Sequence, residues 1–509
     1  MFKGICIYFV IIAVFFSILV IPVQSDSPYS RWVNGPPTDA NFFMIGVWLQ
    51  QSRFSDQYKA MNINTYVALD PGSAGYAASI SQLKGNGFYF ILSAQDDEAW
   101  NYTSERNFIS WLLPDEPDNC QFKSITIKGR RFPTSGDFPT NCSGAGRIPP
   151  EELMNMYNWI RQNDASRPVH VGLGQGVAND NYVGRGSGFS QSMYVDYCKA
   201  SDIPGFDIYP YVGMGSPLTS SIDLLWYQAK GLDSLVTWSN DKPLWNTIEC
   251  THIGNTTNLP TPQTCKLEVW MSIIHKARGF IWFVHEWYPS FSMTGVFRYP
   301  ELVDAITKIN AQVLSLAPVI NSPSLTGRVS VTSSAGSVVP IDIMVKEYNN
   351  KLYIFSCGMR NGATTGVFTV YGGGDGVVNV LGENRTVTMR GGSFTDNFAP
   401  WDAHVYAISI EQSGSTNPLD AIKVYPNPIR LNNIGAKKIK FDTNLIQDVT
   451  IKIFTAEGML VTTLSEADFG NMGFLEWDLT QTNIAGGMYY FYARDTAGHS
   501  KTGKIGVIK

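Results

Sequence analysis

The sequence predicts an α/β protein in which a (β/α)8 barrel is followed by two all-β domains of the β-sandwich type. The first observation behind this prediction is the recurrence of eight short apolar runs, separated by helical stretches, across residues 41–317. The second is a change near residue 318, after which short β-type runs alternate with Gly-rich turns. The 509 residues, 44% hydrophobic and 16% charged, are enough to bury several cores.

The eight apolar runs do not alternate with polar residues, which is typical of parallel strands buried on both faces. They cover residues 42–48, 64–69, 88–92, 109–113, 169–173, 203–209, 244–248 and 279–284. Helices are predicted over residues 55–61, 80–84, 150–163, 190–199, 224–237 and 264–276. A doubly wound sheet is the alternative, but it requires a Gly-rich phosphate loop after the first strand, and residues 46–49 do not form one.

Changes in composition place the domain boundaries. The barrel spans residues 26–323 and ends in a stretch bounded by prolines at 318 and 323. An accessory β domain follows at residues 324–412, with strands predicted at 342–345, 351–356, 366–370, 377–381 and 404–410. A polar linker at 413–419 leads to a C-terminal β unit at 420–509, with strands predicted at 450–454, 460–464, 474–478, 488–493 and 504–508.

Residues 1–25 have the pattern of a secretory signal peptide. Lys3 precedes an apolar run at residues 5–21, and Ser25 closes a segment that suits cleavage before Asp26. An uncleaved membrane anchor is the alternative, although about 17 apolar residues is near the lower limit for a membrane span. The protein is therefore expected to be secreted or held at the cell surface.

Removal of residues 1–25 leaves six of the seven cysteines. An exported chain can form disulfides, and the simplest pairing joins Cys120 to Cys142 and Cys250 to Cys265. Buried free thiols are the alternative. No Cys or His pair has the spacing of a zinc site, so the sequence predicts neither a metal nor a cofactor.

Charge and aromatic content narrow the range of partners. The chain has 38 basic and 43 acidic residues without a strongly basic stretch, so a nucleic acid is not expected as a partner. Aromatic residues make up 13% of the chain, which suits a large core and also surfaces that stack on the apolar faces of sugars. The barrel region contains no Gly-x-Ser-x-Gly elbow, which counts against an esterase.

Two glutamates follow strands on opposing arcs of the predicted barrel. Glu116 lies in the turn 114–117 after the fourth strand, and Glu249 ends the seventh. Barrel active sites lie at the carboxyl ends of the strands, so the two carboxyl groups are expected to face each other across the mouth. One protonated carboxyl group and one attacking carboxylate are what glycosidic cleavage needs. A separation of about 6.5–9.5 Å between the two carboxyl groups would instead indicate inversion, or a different partner such as Asp207 or Glu286.

In this pattern the chain resembles the clan A retaining glycoside hydrolases, which carry an acid/base Glu after strand four and a nucleophile Glu after strand seven. The resemblance implies that Glu116 is the acid/base and Glu249 the nucleophile of a double-displacement reaction. The clan usually has Asn before the acid/base, where this sequence has Asp115. The resemblance also implies that a Tyr after strand six, here Tyr209, hydrogen-bonds the nucleophile.

Further polar and aromatic side chains near the strand ends are expected to bind the sugar. Amides offer both a donor and an acceptor to hydroxyl groups, and an indole ring stacks on a sugar face. The candidate substrate-binding residues are Asp115, Tyr209, Asp207, His252, Trp282, His285, Gln175, Gln50 and Trp48.

The C-terminal unit resembles the immunoglobulin-like modules of the type IX secretion sorting and FlgD-like kind. The matching segments are residues 424–428, which read Val-Tyr-Pro-Asn-Pro, residues 451–454 with Gly458, residues 486–491, and the basic residues Lys501, Lys504 and Lys509. The resemblance implies a role in export and attachment to the cell surface. A plain β-sandwich role shares the same pattern and is the alternative.

The leading hypothesis is therefore a secreted retaining glycoside hydrolase that cleaves a β-linked poly- or oligosaccharide. Its partner is a carbohydrate substrate, and the oligomeric state is left open. The alternative is a barrel that has lost catalysis and binds glycans outside the cell. The presence of both candidate carboxylates counts against that alternative.

Overall fold

The computed structural model describes residues 27–121, 124–134, 146–185, 190–214, 217–218, 222–410, 418–431, 437–443, 448–465, 474–480 and 484–508. In chain order the strands are β1 (Met44–Trp48), β2 (Thr65–Val67), β3 (Tyr89–Ser93), β4 (Phe108–Leu112), β5 (Ser124–Ile127), β6 (Arg130–Pro133), β7 (Val169–Leu173), β8 (Ile203–Phe206), β9 (Leu244–Glu249), β10 (Ala277–Phe283), β11 (Val329–Ser333), β12 (Ile341–Tyr348), β13 (Lys351–Gly358), β14 (Thr364–Val370), β15 (Gly376–Val380), β16 (Arg385–Met389), β17 (Ser393–Phe398), β18 (Ala403–Ser409), β19 (Lys423–Tyr425), β20 (Ile429–Arg430), β21 (Lys438–Asp442), β22 (Thr450–Thr455), β23 (Leu460–Ser465), β24 (Phe474–Asp478), β25 (Gly487–Arg494) and β26 (Ser500–Ile508). The α-helices are α1 (Ser55–Ala60), α2 (Gly75–Gly85), α3 (Pro150–Asn163), α4 (Ser192–Lys199), α5 (Tyr227–Ser239), α6 (Pro262–Ile274), α7 (Pro300–Ser315) and α8 (Ala317–Asn321).

Eight parallel strands close into a barrel in the order β1-β10-β9-β8-β7-β4-β3-β2. Each barrel strand overlaps one of the eight predicted apolar runs, so the predicted (β/α)8 barrel is confirmed. The bounds of β7 match the prediction, whereas β8 ends at Phe206 instead of residue 209. Residues 207–209 therefore lie in the loop that follows β8.

The local sequence explains where the helices begin. Thr261 caps α6 by accepting a hydrogen bond from the N–H of Thr264, and the Thr264 side chain in turn accepts from the N–H of Thr261. Proline occupies the first turn of α3, α6 and α7, where its missing N–H costs nothing. The helix α7 was not predicted, and neither was the hairpin formed by β5 and β6 in the loop after β4.

Two apolar layers hold the barrel together. Side chains that point inward form one cluster, which includes Met44, Val67, Ile91, Ile203, Trp245 and Ile281. Side chains that point outward pack against the surrounding helices in a larger cluster, which also takes in buried residues of β12, β13 and β18. The alternation of strand side chains between these layers decides which residues can reach the interior.

The β domain after the barrel has two antiparallel sheets. One has the order β11-β14-β17 and the other β12-β13-β18-β15-β16. It packs against α6, where the rings of Trp270 and Phe355 lie 5.5 Å apart. The barrel and this domain together form one compact unit that ends at Ser409.

In the C-terminal unit, residues 410–509, the described residues form two further β-sheets. Its sheets have the orders β19-β21-β24 and β20-β26-β25-β22-β23, and a separate core lies between them. Aromatic pairs join the two sheets, with ring centroids 5.3 Å apart for Phe441 and Phe491 and 5.4 Å apart for Trp477 and Tyr489. The sandwich is confirmed as a fold, while its export and sorting role stays a prediction.

The cysteines depart in part from the prediction. Cys120 is disulfide-bonded, and its predicted partner Cys142 lies outside the described residues. The predicted Cys250–Cys265 disulfide is wrong, because both thiols are free and buried. Each is turned toward a backbone carbonyl, with the Cys250 Sγ 3.2 Å from the oxygen of Phe283 and the Cys265 Sγ 3.7 Å from the oxygen of Glu249. Cys198 and Cys357 are free and buried as well.

The predicted signal peptide and most of the predicted linker lie outside the described residues. Among the helices of the described ranges, none combines the length and apolar character needed to cross a bilayer. Secretion and surface attachment therefore stay predictions.

Candidate active site

A cavity lies inside the carboxyl-terminal half of the barrel. Asp115, which follows β4, and Asp207, which follows β8, both line it. The other lining residues are Trp48, His170, Gly172, Phe206, Tyr209, Trp245, Thr247, Ile281 and Phe283. Carboxylates from two non-adjacent strands thus face a common space, at the end of the barrel where barrel enzymes hold their active sites.

Tyr209 lies at the centre of the acidic group. Its phenol is hydrogen-bonded to the carboxylate of Asp207. Burial raises the pKa of Tyr209 well above its usual value of 10, and the charges of Asp207, Glu116 and Asp115 add to the effect. Three carboxylates from two strand ends therefore lie around one neutral phenol.

Glu116 is held in a defined turn. Its backbone is left-handed, with a φ of 41°, a conformation that costs a non-glycine residue about 1–3 kcal/mol. Its N–H donates to the oxygen of Gly172 at 2.8 Å, and its Oε2 accepts from the Nδ2 of Asn119 at 2.7 Å. A Cβ on Gly174 would lie 3.1 Å from Glu116 Oε1. The carboxyl group is therefore packed against the backbone that follows β7.

Asp118 fastens this turn to the rest of the barrel. The side chain is buried, with Oδ1 accepting from the N–H of Gly174 at 2.9 Å and Oδ2 accepting from the phenol of Tyr194 at 2.8 Å. The loop after β4 is thereby tied both to the end of β7 and to α4. Such bracing reduces the freedom of the neighbouring Asp115 and Glu116.

The floor of the cavity contains a neutral histidine. His170 on β7 is buried, and its Nδ1 lies 2.7 Å from the carbonyl oxygen of Ile203, which makes Nδ1 the protonated nitrogen. Burial lowers the pKa of His170 to about 4. The side chain therefore carries no charge at neutral pH and leaves the acidic group without a cation beneath it.

Glu249 occupies a different environment from the one that the sequence predicts. Its carboxylate is fully buried and is not among the residues that line the cavity. The N–H of Tyr211 donates to its Oε1 at 2.6 Å and the N–H of Val212 donates to its Oε2 at 2.9 Å. Both oxygens are thus engaged by the loop that follows β8.

A second buried carboxyl group lies beside Glu249. Glu268 on α6 is hydrogen-bonded to the Glu249 side chain, and the amide of Gln228 donates to its Oε2 at 3.2 Å. Burial raises the pKa of both glutamates. Because two ionised carboxylates cannot donate to each other, this contact requires one of the pair to carry a proton.

The predicted sugar-binding residues divide into two groups. Trp48, Asp115, Asp207 and Tyr209 line the cavity, and their role in binding a substrate stays a prediction. The remaining predicted residues do not line the cavity and form hydrogen-bond contacts with other protein groups. They are Gln50, Gln175, His252, Trp282 and His285.

Two of these five residues, Trp282 and Gln50, are fully buried and do not line the cavity, in contrast to the prediction. The indole of Trp282 is fully buried and donates to the Oδ1 of Asn310 on α7 at 3.1 Å, so it faces the helices. The amide of Gln50 donates to the oxygen of Met293 at 2.7 Å and accepts from the phenol of Tyr58 at 2.8 Å. Period-two alternation explains Trp282, since its neighbours Ile281 and Phe283 are the ones that face inward.

The remaining three predicted residues shape the loops of the mouth. His252 Nδ1 lies 2.9 Å from the oxygen of Asn258, and His285 Nε2 lies 3.1 Å from the oxygen of Leu49. Gln175 is buried, and its Oε1 accepts from the Nδ2 of Asn179 at 3.0 Å. Burial lowers the pKa of His285, which favours the neutral ring.

Sequence reasoning did not single out His170, Asp118 or Glu268. The signal for Glu268 was present, because it is the one charged residue in the apolar stretch 267–274 of α6. His170 lies within a predicted strand run, where a polar residue indicates an inward position. Among the described residues, no group of three or more His, Cys, Asp or Glu side chains is arranged so that it could hold a metal ion.

Comparisons with known proteins add little to this geometry. No protein-family model matches the sequence, and no curated protein matches it. Solved structures similar to the chain include an alpha-amylase from Geobacillus thermoleovorans, 11% identical, covering 70% of this chain and 91% of that one with a TM-score of 0.41. A GH30 endoxylanase from Clostridium papyrosolvens is 12% identical, covering 76% and 98% with a TM-score of 0.39. An alpha-galactosidase I from Mortierella vinacea is 9% identical, covering 72% and 97% with a TM-score of 0.41. Similarity at this level supports no inference about activity.

Proposed function

We propose that the protein is a secreted retaining glycoside hydrolase that cleaves a β-linked poly- or oligosaccharide. The observation that carries the proposal is the hydrogen bond between Tyr209 and Asp207 in a cavity that Asp115 also lines, with Glu116 close by. Paired carboxyl groups at the mouth of a barrel supply the acid and the nucleophile that glycosidic cleavage needs.

Glu116 is the proposed acid/base. It follows β4, at the position where the resemblance to clan A expects this residue, and its turn is braced by Asn119 and Asp118. In the first step its carboxyl group gives a proton to the glycosidic oxygen as the bond to the anomeric carbon breaks. In the second step its carboxylate takes a proton from water, which attacks the anomeric carbon.

Asp207 is the proposed nucleophile. An oxygen of Asp207 attacks the anomeric carbon and forms a glycosyl ester, which water then hydrolyses to free the carboxylate. The phenol of Tyr209, which the resemblance assigns to the nucleophile, bonds Asp207 and not Glu249. Asp207 also lines the cavity, whereas both oxygens of Glu249 accept backbone hydrogen bonds. Glu249 is then a positioning residue that fixes the loop at Tyr211 and Val212.

The predicted signal peptide and the C-terminal sandwich support a location outside the cell. Export would bring the barrel to polysaccharides too large to enter the cell. Attachment through the C-terminal unit is part of the same proposal and rests on the resemblance of residues 424–428 and 486–491 to sorting modules.

The proposal is tested by incubating the purified protein with aryl β-glycosides and a panel of β-linked polysaccharides. Proton NMR then follows the anomeric configuration of the first product. We expect hydrolysis with retained configuration, and loss of hydrolysis in Glu116→Gln. If no substrate is cleaved but a polysaccharide retards the protein in a native gel, the protein is a glycan-binding barrel and the proposed activity is wrong.

A further inference from the structure

We propose that Asp115 selects a substrate whose sugar unit carries an ammonium group next to the cleaved bond, so that the protein acts on β-linked 2-amino-2-deoxy sugars with a free amine. This inference rests on the proposed function and names its substrate class. Asp115 is the third carboxyl group of the site, and neither proton transfer by Glu116 nor attack by Asp207 makes use of it.

The cavity gathers carboxyl groups in a small space. Asp115 and Asp207 both line it, and His170 on its floor is neutral because burial lowers its pKa to about 4. Among the described residues that line the cavity, none carries a positive charge at neutral pH. Burial raises the pKa of Tyr209, and the charges of Asp207, Glu116 and Asp115 raise it further. A sugar that enters this space is therefore surrounded by acidic side chains.

The turn after β4 holds Asp115 in a defined place. The Nε2 of Gln121 donates to the backbone oxygen of Asp115 at 2.9 Å and to that of Glu116 at 2.8 Å. A Cβ on Gly172 would lie 3.1 Å from the Oδ1 of Asp115, so the carboxylate lies over β7, at a strand residue that also lines the cavity. Asp115 is an exposed residue, which allows a substrate to reach it.

The neighbours of Asp115 determine which part of the sugar it contacts. Glu116, the next residue, is the proposed proton donor to the glycosidic oxygen, and Asp207 is the proposed nucleophile at the anomeric carbon. The anomeric carbon has two neighbours in the sugar ring, which are the ring oxygen and C2, and only C2 carries a substituent. A side chain that lies beside both catalytic groups therefore meets the substituent at C2.

The charge of Asp115 favours an ammonium group at C2. A carboxylate only accepts hydrogen bonds, so the group that it binds must donate. A hydroxyl group can donate, but it leaves the repulsion between Asp115 and Asp207 in place, and this repulsion disfavours an ionised nucleophile. An ammonium group donates a charge-assisted hydrogen bond and also offsets the repulsion. The bound amino sugar thus keeps Asp207 ionised for its attack.

The test compares three aryl β-glycosides that differ only at C2. The glucosaminide carries an ammonium group, the glucoside a hydroxyl group and the N-acetylglucosaminide a neutral amide. For the wild type we expect kcat/KM on the glucosaminide to exceed that on either neutral glycoside by at least about tenfold, because charge-assisted hydrogen bonds are the stronger ones. An equal or higher kcat/KM on the glucoside would overturn the inference and leave the proposed hydrolase in place.

The variant Asp115→Asn tests whether this residue is the source of the preference. The amide keeps the size of the side chain and removes its charge, so the ratio of kcat/KM on the glucosaminide to that on the glucoside should fall by about 10- to 100-fold. A purely structural role would lower both values together and leave their ratio unchanged, which would overturn the assignment. The control Asp304→Asn, on the exposed face of α7, should keep the ratio of the wild type.

A binding arm separates this inference from the proposed activity. If no glycoside is hydrolysed, titration calorimetry measures the Kd of a fully deacetylated chitosan oligosaccharide and of its N-acetylated counterpart. Tighter binding of the deacetylated chain by at least about tenfold, lost in Asp115→Asn, supports recognition of the ammonium group without catalysis. Equal affinity for the two chains, or binding of neither, overturns the inference.

Discussion

The phenol of Tyr209 is hydrogen-bonded to the carboxylate of Asp207 within a cavity at the carboxyl-terminal end of the barrel. This bond joins two side chains of the loop after β8 and holds the carboxylate of Asp207 in one orientation. It also distinguishes Asp207 from Glu249, whose oxygens are held by the backbone of Tyr211 and Val212.

Replacing Asp207 with Asn should remove turnover. The amide keeps the size of the side chain but is not a nucleophile, so we expect kcat/KM to fall by at least about 10³-fold on every substrate. Initial rates and a thermal melt measure activity and folding separately. Asp304→Asn, on the exposed face of α7, is the control and should behave as the wild type. Activity of Asp207→Asn within about tenfold of wild type would contradict the assignment.

Replacing Tyr209 with Phe should slow the reaction without unfolding the barrel. A hydrogen bond to a charged group contributes about 1.5–3 kcal/mol, which corresponds to a loss of roughly 10- to 150-fold in kcat. The ring contact with Phe283 is preserved, so the melting temperature should change little. Unchanged kcat in this variant would mean that the phenol does not act on the reacting carboxylate.

Glu249→Gln should retain most of the activity, in contrast to what the resemblance to clan A implies. The amide oxygen of Gln can still accept one of the two backbone hydrogen bonds, from Tyr211 or Val212. We expect kcat/KM to fall by less than about tenfold, through a small shift of this loop. A loss as large as that of Asp207→Asn would restore Glu249 as the nucleophile.

The buried pair of Glu249 and Glu268 should make stability depend on pH. Burial raises the pKa of both groups above the ordinary value of 4.5, so the folded state holds protons that the unfolded chain releases. The contribution of this pair to the free energy of unfolding is fully present below about pH 4.5. It is lost as the pH rises through the raised pKa values of the two glutamates. Glu268→Gln cannot titrate, so its melting temperature relative to wild type should increase between about pH 5 and about pH 8. Parallel curves for the two proteins would contradict a shared proton.

His275 should also make stability depend on pH, by strengthening the contact between the barrel and the β domain at low pH. Burial disfavours its charge, but Asp233 at 2.8 Å and Asp342 at 3.3 Å outweigh that effect and raise the pKa of His275 to about 9. Because the folded state binds this proton more tightly than the unfolded chain does, the protonated His275 stabilises the fold below about pH 6.5. This stabilisation is lost as the pH rises through about 9. His275→Gln should therefore cost about 1 kcal/mol at pH 6 and much less at pH 9.5, measured by denaturant unfolding. An equal cost at both pH values would contradict the ion pairs.

The sequence predicted more of the fold than of the site. Eight apolar runs sufficed for the barrel, because strands buried on both faces must be apolar throughout. The helix α7 was missed although its buried residues Leu302, Ile306, Ile309 and Val313 have helical spacing. At the site, strand order placed Asp115, Glu116 and Asp207 correctly at the carboxyl-terminal mouth.

The order of the strands could not predict which groups each side chain contacts in the folded protein. The environment of Glu249 depends on a loop 37 residues away along the chain and on Glu268 of the next helix. Trp282 turns outward because of its parity within β10, which a continuous apolar run conceals. Such contacts arise from tertiary packing, which neither composition nor spacing records.

A covalent trap of the glycosyl-enzyme tests most directly whether Asp207 is the nucleophile. A 2-deoxy-2-fluoro glycoside of the sugar that the enzyme cleaves slows the second step, and peptide mass spectrometry locates the attached sugar. We expect the added mass on the peptide that carries Asp207, and no added mass in Asp207→Asn. A label on Glu249 would contradict the proposed nucleophile.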